Sequence, residues 1–229
     1  MIPNWADERR EMVGRQLRRR GIRDEGVLRA MGEIPREDFV PLEYRVLAYK
    51  DEPIPIGFGQ TISQPYMTAL MAELLELTGW ETVLEVGAGC GYAAAVLGAM
   101  AAHVVAVEII PGLAELAREN LRRAGRDGNV VVVSGDGSEG YLPWAPYDAV
   151  SVAAGAPDIP PALLEQLRDP GRLVIPVGDL ADQQLRVLWK HEGRIDSRAA
   201  TLCRFVPLRG AGVAGKRAPG RTDRGEGWH

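Results

Sequence analysis

The 229-residue chain contains only two cysteines and three histidines. Cys90 and Cys203 cannot form a disulfide framework, which excludes a small secreted fold held by cross-links and favours a reducing compartment, the cytoplasm. The three histidines stand far apart and lack the spacing of a metal site. We therefore expect no metal, and a fold that depends on its apolar core.

Neither charge sign is in excess, because 27 basic residues face 31 acidic ones and the net charge is −4. General binding to nucleic acid or to anionic lipid needs a basic surface, so we expect neither partner. The chain also lacks an apolar run long enough to span a bilayer, and residues 7–11 are charged where a signal peptide would be apolar. The sequence predicts a soluble cytoplasmic protein, which we expect to be a monomer.

Apolar runs and helical patterns alternate from residue 82 onward. Strands are expected at 82–86, 103–107, 130–133, 147–152 and 172–177, with helices between them at 92–100, 111–124 and 161–167. This alternation predicts a Rossmann-like, doubly wound α/β fold whose mostly parallel sheet is covered on both faces. Two further strands, at 185–190 and 201–206, have no helix between them and predict an antiparallel C-terminal edge.

The residues before this alternation predict a helical addition. A helix is expected from residue 4 to 20, and a second, short helix is expected with Asp24 as its cap. Residues 53–56 look extended, residues 57–64 look like a loop, and Pro65 is well placed to begin a helix that runs to about residue 77. We expect three parts: an N-terminal helical region with this loop (1–78), a core (79–209) and a disordered, glycine- and arginine-rich tail (210–229).

The most informative stretch is residues 83–91, Val-Leu-Glu-Val-Gly-Ala-Gly-Cys-Gly. A buried strand that opens into a glycine-rich turn before a helix lets backbone approach a nucleotide-like ligand closely. The spacing differs from the Gly-x-Gly-x-x-Gly of dinucleotide binders. Glu85 would repel a pyrophosphate, so it favours a cationic, phosphate-free ligand such as S-adenosylmethionine.

Two more acids follow the next two strands. Glu108 lies nineteen residues after Gly89, where a carboxylate can accept both ribose hydroxyls; its alternative is a solvated acid beside the helix start at Pro111. Asp136, between Gly135 and Gly137, is placed to accept from an adenine amino group; its alternative is a plain Asp-Gly turn. We favour the ligand role for both acids.

Two features have competing interpretations. Residues 60–65, Gln-Thr-Ile-Ser-Gln-Pro, place four polar side chains before a helix. They either cover a ligand cleft, or one of Thr61, Ser63 and Gln64 caps the helix, and the residues alone do not decide between these. Cys90 could be a nucleophile, but we favour a small residue that fills the turn.

With these residues laid out, the chain resembles the protein-L-isoaspartate (D-aspartate) O-methyltransferases. The resemblance extends from about residue 9 to 210. The loop and the Phe-Val-Pro-Leu ending are its most specific parts, whereas many methyltransferases share the glycine turn. It is carried by these segments: Gly59–Met67, Val83–Tyr92, Gly135–Gly137, Ala145–Ala149, Gly171–Gly178 and Arg204–Leu208.

The resemblance implies a class I S-adenosyl-L-methionine-dependent methyltransferase that repairs damaged proteins and peptides. Such an enzyme methylates the free α-carboxyl of L-isoaspartyl (and D-aspartyl) residues, and the L-isoaspartyl ester closes to a succinimide that reopens partly to normal aspartate. The resemblance implies that Ser63 has the active-site role. It implies cofactor contacts from Thr61, Ile62, Glu85, Gly87, Gly89, Gly91, Glu108, Asp136 and Gly137.

The chain departs from the family pattern at Ala88, Cys90 and Ala93, where threonine, serine and glutamine are more common, and in residues 152–157. These changes leave open an O-methyltransferase dedicated to one peptide, such as a natural-product precursor. A non-catalytic module that binds S-adenosylmethionine is a third interpretation, against which Ser63, Glu108 and Asp136 argue.

Overall fold

The computed structural model describes residues 3–179 and 182–213. Within them, nine strands alternate with six α-helices and several short 3-10 turns. The strands are β1 (Ile54–Gly57), β2 (Gln60–Ile62), β3 (Thr82–Val86), β4 (His103–Glu108), β5 (Val130–Ser134), β6 (Tyr147–Val152), β7 (Leu167–Gly178), β8 (Gln183–His191) and β9 (Arg194–Cys203). The helices are α1 (Trp5–Glu11), α2 (Glu25–Glu33), α3 (Pro65–Leu74), α4 (Tyr92–Gly98), α5 (Pro111–Arg123) and α6 (Pro161–Glu165).

Seven strands form one sheet in the order β5-β4-β3-β6-β7-β8-β9. The five strands from β5 to β7 are parallel, while β8 and β9 add to β7 in antiparallel fashion. β3 and β4 are buried along nearly their whole length, as central parallel strands covered by helices must be. The predicted doubly wound fold with an antiparallel edge is confirmed.

Two hydrophobic clusters pack against the sheet. One contains Val83 and Val104 together with Met12 and Met31 from the N-terminal helices. The other contains Leu84, Val105 and residues of α6. The N-terminal region therefore shares a core with the central strands, and the three-part division of the chain stays a prediction.

The N-terminal helices begin and end close to the predicted points. α1 passes into a π-helical segment and a 3-10 turn that together reach Arg20, and Gly21 ends the run at a φ of 103°. The Asp24 carboxylate accepts a hydrogen bond from Val27 N at 2.9 Å, so the predicted cap of α2 is confirmed. α3 begins at Pro65 and ends at Leu74, about three residues earlier than expected.

The loop predicted over residues 57–64 is wrong in part. β2 pairs with β1 in an antiparallel hairpin, and Ile62 lies opposite Ile54. Phe58 and Gly59 make the reversal with φ values of 53° and 69°. A three-residue strand that follows two glycines has too little periodicity to be recognised in the sequence.

The predicted position of the last strand is also wrong. β9 occupies residues 194–203 and not 201–206, because the chain reverses at Glu192 and Gly193, whose φ values are 50° and 72°. Residues 194–200 are exposed and, apart from Ile195, polar or small, so they carry no apolar alternation that would mark a strand. An edge strand with both faces in solvent gives no such signal.

The beginning of the expected disordered tail is ordered. Ala211–Val213 form a 3-10 turn, and the remainder of the predicted tail, residues 214–229, lies outside the described residues. No helix within residues 3–179 and 182–213 combines the length and apolar character needed to cross a membrane.

Candidate active site

A cleft of about 820 Å³ opens where the carboxyl ends of β3 and β4 meet the N-termini of α4 and α5. In an open α/β sheet this edge is where ligands bind. The β1–β2 hairpin and the segment after β9 close the cleft from the other side. Its walls comprise Gln60–Ser63, Thr68, Glu85–Cys90, Tyr92, Ala93, Val107–Ile110, Gly137, Ala153, Ala154 and Val206–Arg209.

The glycine turn forms the floor of the cleft, and Gly87 and Gly89 contribute only backbone to it. Gly87 and Gly89 have φ values of 90° and 55°, which residues with a β-carbon rarely adopt. Gly91 is the N-cap of α4 and does not line the cleft; a β-carbon there would lie 3.2 Å from the carbonyl oxygen of Ala117 on α5. Two of the three glycines thus line the cleft, and the third permits close packing of helices.

Glu108 lies at the end of β4 and is buried. Its Oε2 accepts a hydrogen bond from Gly89 N at 2.8 Å, and its Oε1 accepts one from Ile110 N at 3.0 Å. The alternative of a solvated acid is therefore wrong. The carboxylate links the glycine turn to the start of α5, and each oxygen keeps a free lone pair for a ligand hydroxyl.

Glu85 lines the same cleft from β3 but has no such partners. Its Oε2 is buried without a hydrogen bond from any described residue. Burial raises the pKa of Glu85 well above its ordinary value, and the nearby Glu108 charge raises it further. An unpartnered buried acid oxygen in a ligand cleft calls for a cation or a donor from the ligand.

The third acid is oriented differently. Asp136 Oδ1 accepts from Ser138 N and Ser138 Oγ at 2.9 and 2.6 Å, and Oδ2 accepts from Ala211 N at 2.7 Å. These bonds hold the pKa of Asp136 below its ordinary value despite the opposing effect of desolvation. Asp136 is not among the cleft walls, whereas Gly137 is. Its adenine contact stays a prediction.

The residues before α3 line the cleft, as one of the two interpretations of this segment required. Thr61, Ile62 and Ser63 are all in its walls. No side chain caps α3, because the Gln64 amide instead donates to the carbonyl of Asp51 at 3.0 Å. The capping alternative is therefore wrong.

Ser63 lies where two cavities meet. It lines the cleft above and also a second, larger cavity walled by Pro53, Tyr66 and residues 201–206. Among the residues that the structure describes, none makes a hydrogen bond with the Ser63 hydroxyl. A free hydroxyl at this boundary can contact a ligand in either cavity.

The hairpin covers the glycine turn. A β-carbon added at Gly89 would lie 3.3 Å from Cδ1 of Ile56, and one added at Gly112 would lie 2.5 Å from Cζ of Phe58. The tip of the hairpin therefore packs on the first turn of α5, above the end of β4.

Cys90 is a packing residue. Its side chain is buried, and burial raises the pKa of the thiol to about 11, so it is protonated at neutral pH. A thiol in that state is a poor nucleophile, which supports the interpretation of Cys90 as a residue that fills the turn. No cluster of three or more candidate metal ligands occurs within residues 3–179 and 182–213.

Two wall segments were missed as site residues. Ala153 and Ala154 follow β6, and Val206–Arg209 return to the cleft after β9. They are held there by Gly155, whose N–H donates to the carbonyl of Val206 at 2.8 Å and whose carbonyl accepts from Leu208 N at 2.8 Å. Only the resemblance of the Phe-Val-Pro-Leu segment to a known family hinted at this position.

Known proteins are similar to this chain in sequence and in fold. Residues 8–212 match the model of the protein-L-isoaspartate(D-aspartate) O-methyltransferase family. A protein-L-isoaspartate O-methyltransferase of Methanoculleus marisnigri is 54% identical over 203 residues, covering 89% of this chain and 92% of the relative. The one from Hyperthermus butylicus is 51% identical over 217 residues, covering 90% of each chain.

The fold comparison agrees with the sequence comparison. A solved structure of a protein-L-isoaspartate O-methyltransferase superposes with a TM-score of 0.78 at 30% identity, covering 90% of this chain and 67% of its own. A β-aspartate methyltransferase from Plasmodium falciparum, in complex with S-adenosyl-L-homocysteine, gives 0.76 at 25% identity, covering 91% and 99%. The chain belongs to the protein-L-isoaspartate(D-aspartate) O-methyltransferase family.

Proposed function

We propose that the cleft and the adjoining cavity carry out the reaction of this family, with Ser63 at the point of methyl transfer. The chain is an S-adenosyl-L-methionine-dependent protein-L-isoaspartate O-methyltransferase, which methylates the α-carboxyl of L-isoaspartyl residues. D-aspartyl residues, which the family description includes, are proposed as further substrates.

The residues of the cleft fit the cofactor. S-adenosyl-L-methionine supplies an activated methyl group on a sulfonium cation. Glu108, with free lone pairs on both oxygens, suits the ribose hydroxyls, and the glycine floor leaves room for backbone contact. The unpartnered oxygen of Glu85 suits a cationic ligand, so we assign to it the positively charged part of the cofactor.

The remaining predicted contacts fall into two groups. Thr61, Ile62 and Gly137 line the cleft, and we propose that they contact the cofactor directly. Gly91 and Asp136 lie behind the walls, and we propose that they support the site by packing α4 on α5 and by capping the turn after β5.

Ser63 acts on the substrate side by position. The substrate α-carboxyl is already ionised at neutral pH, so the reaction needs no strong base. What it needs is a carboxylate oxygen held in line with the methyl group and shielded from water. We propose that the Ser63 hydroxyl donates a hydrogen bond that orients this carboxylate.

The substrate chain is proposed to enter through the second cavity. Residues 201–206 and Ala153 wall it, and one edge of β9 pairs with no strand among the described residues. Recognition through backbone hydrogen bonds would suit damaged sites in many sequences. We also propose that the enzyme is a cytoplasmic monomer. Its two free thiols suit a reducing compartment. The molecular mass from sedimentation, at the concentration used in the assay, tests whether it is a monomer.

The observation that carries this proposal is the position of Ser63 between the two cavities. We expect Ser63→Ala to lower kcat about 100-fold, since misorientation alone reaches that scale. The affinity for S-adenosyl-L-homocysteine, measured by calorimetry, should change less than about twofold, because the hydroxyl acts on the substrate.

The assay should use paired peptides that differ only in isoaspartate versus aspartate, with labelled methyl transfer as the readout. Ser134→Ala serves as the control, because Ser134 is an exposed serine at the end of β5 that does not line the cleft. Full activity of Ser63→Ala would remove Ser63 from the reaction. Methylation of only one among several unrelated isoaspartyl peptides would instead favour a dedicated peptide enzyme.

A further inference from the structure

Arg36 is a completely buried arginine in the 3-10 turn Arg36–Phe39, at 0% exposure. Within the described chain no carboxylate forms an ion pair with it. A buried cation without a counter-charge is costly, so its retention calls for a role. Two backbone carbonyl groups accept from it and the ring of Tyr92 lies beside it, while its Nη1 is buried without a hydrogen-bond partner among the described residues.

The guanidinium joins three segments of the fold. Arg36 Nη2 donates to the carbonyl oxygen of Ser63 at 2.7 Å, and Nε donates to that of Ala48, also at 2.7 Å. Its Cζ lies 4.9 Å from the centre of the Tyr92 ring, at the start of α4. The planar fork of arginine can make all these contacts together, which a lysine cannot.

The backbone is held at Ser63 and at the residues on both sides of it. Ile62 is held by its pairing in the hairpin, and the Gln64 amide is held by Asp51. At Ser63 itself, the bond from Arg36 is the one side-chain hydrogen bond to the backbone among the described residues. Tyr92 in turn lines the cleft, so Arg36 links Ser63 to the cofactor side of the site.

We propose that Arg36 is a positioning residue for methyl transfer, which fixes the backbone at Ser63 and thereby aims its hydroxyl. This inference rests on the role proposed for Ser63. Arg36 lines neither cavity, so it acts through Ser63 and not on the substrate. Removing it should therefore affect turnover far more than binding.

The test is a set of single and double variants. We expect Arg36→Met to lower kcat about 30-fold, with KM for the isoaspartyl peptide and Kd for S-adenosyl-L-homocysteine within about threefold of the native values. Arg36→Lys, which keeps the charge and one donor, should recover part of the loss. This variant also keeps the test possible if Arg36→Met folds poorly.

Arg9→Met is the matched control. Arg9 donates to the Tyr49 hydroxyl at 2.8 Å and to Glu37, which lies in the same turn as Arg36, at 2.9 Å, and no hydrogen bond joins it to Ser63 among the described residues. It should lower the melting temperature and leave kcat nearly native. An equal fall of kcat in Arg9→Met would show that general loosening of this turn explains the effect, which would overturn the proposal.

The double variant Arg36→Met/Ser63→Ala separates the two roles. If Arg36 acts through Ser63, the double variant should be no slower than Ser63→Ala alone. Losses that multiply, or a fully active Arg36→Met beside an impaired Ser63→Ala, would overturn the role of Arg36 and leave that of Ser63 intact. A fully active Ser63→Ala would instead refute the role proposed for Ser63.

Discussion

Glu85 on β3 and Glu108 on β4 lie on neighbouring parallel strands, line one cleft and are both buried. Glu108 accepts hydrogen bonds from two backbone N–H groups, whereas Oε2 of Glu85 has no partner among the described residues, and burial raises the pKa of Glu85. One carboxylate is held by the backbone before any ligand arrives. The charge of the other depends on what binds, which is why we propose that these two acids contact different parts of one cofactor.

The largest expected effect is on Glu108. Glu108→Gln removes a charged acceptor from the proposed ribose site, a loss of about 1.5–3 kcal/mol, or roughly tenfold to 100-fold in Kd. S-adenosyl-L-methionine and S-adenosyl-L-homocysteine should be affected equally in calorimetric titrations, because both carry the ribose.

Glu81→Gln is the control for that experiment. Glu81 is as buried as Glu108 and also accepts hydrogen bonds from backbone N–H groups, those of Thr78 and Gly79. It lies just before β3, at the amino end of the strand, whereas the cleft lies at the carboxyl end. A comparable loss of affinity in Glu81→Gln would mean that structural loosening, and not the ribose contact, explains the result.

The next effect separates the two acids. Glu85→Gln should weaken the binding of S-adenosyl-L-methionine about tenfold, since a charged contact to the sulfonium is lost. The affinity for S-adenosyl-L-homocysteine, which has no sulfonium, should change less than about twofold. The native protein should also bind S-adenosyl-L-methionine more tightly as the pH rises towards the raised pKa of Glu85, because the cation favours the ionised acid.

Calorimetry in two buffers of different ionisation enthalpy measures the protons released in that step. The native protein should release protons with S-adenosyl-L-methionine and not with S-adenosyl-L-homocysteine, and Glu85→Gln should release none with either. Equal proton release with both ligands in the native protein would place the contact at a group they share, such as the amino group, and not at the sulfonium.

A smaller effect concerns the stability of the free protein. An acid with a raised pKa in the folded state contributes stability that is present below its unfolded pKa and lost as pH rises through the folded pKa. Glu85→Gln should therefore melt a few degrees above the native protein at pH 7.5, with the gap closing towards pH 4.5. A lower melting temperature for the variant at pH 7.5 would show that Glu85 is already partnered in the free protein.

The same contrast explains what the sequence predicts well. The glycine turn and Glu108 follow from local patterns, because a buried strand, a turn and the next strand end fix their positions. The sequence also predicts that Glu85 faces a cationic ligand, but its missing partner becomes visible only when the surrounding elements are in place.

Features that depend on long-range contacts could not be predicted from the sequence. Arg36 sits in a polar stretch that looks exposed, yet it is buried, with hydrogen bonds to the carbonyls of Ala48 and Ser63 and with Tyr92 of α4 beside it. The return of Val206–Arg209 to the cleft depends on bonds to Gly155, which lies far away in the chain. Neither pattern is periodic, and periodicity is the main signal that a single sequence offers.

Asp136, which follows the next strand after Glu108, extends the comparison to a third acid and gives the smallest expected effect. Its two carboxylate oxygens accept from Ser138 and Ala211, and the amide of Asn can replace only one of these acceptors, so Asp136→Asn should destabilise the fold by about 1 kcal/mol. Its effect on S-adenosyl-L-homocysteine should stay below about threefold in Kd, since the cleft walls exclude Asp136.

The inosine analogue of S-adenosyl-L-homocysteine sharpens that test, because hypoxanthine lacks the adenine amino group. If Asp136 only holds the chain, the substitution should change the affinities for the two compounds by the same factor. A tenfold loss for the adenine compound alone would show a direct contact with the amino group. Asp136 would then join Glu108 as a carboxylate that the protein holds in place for the ligand, and Glu85 would remain the one acid whose charge follows the cofactor.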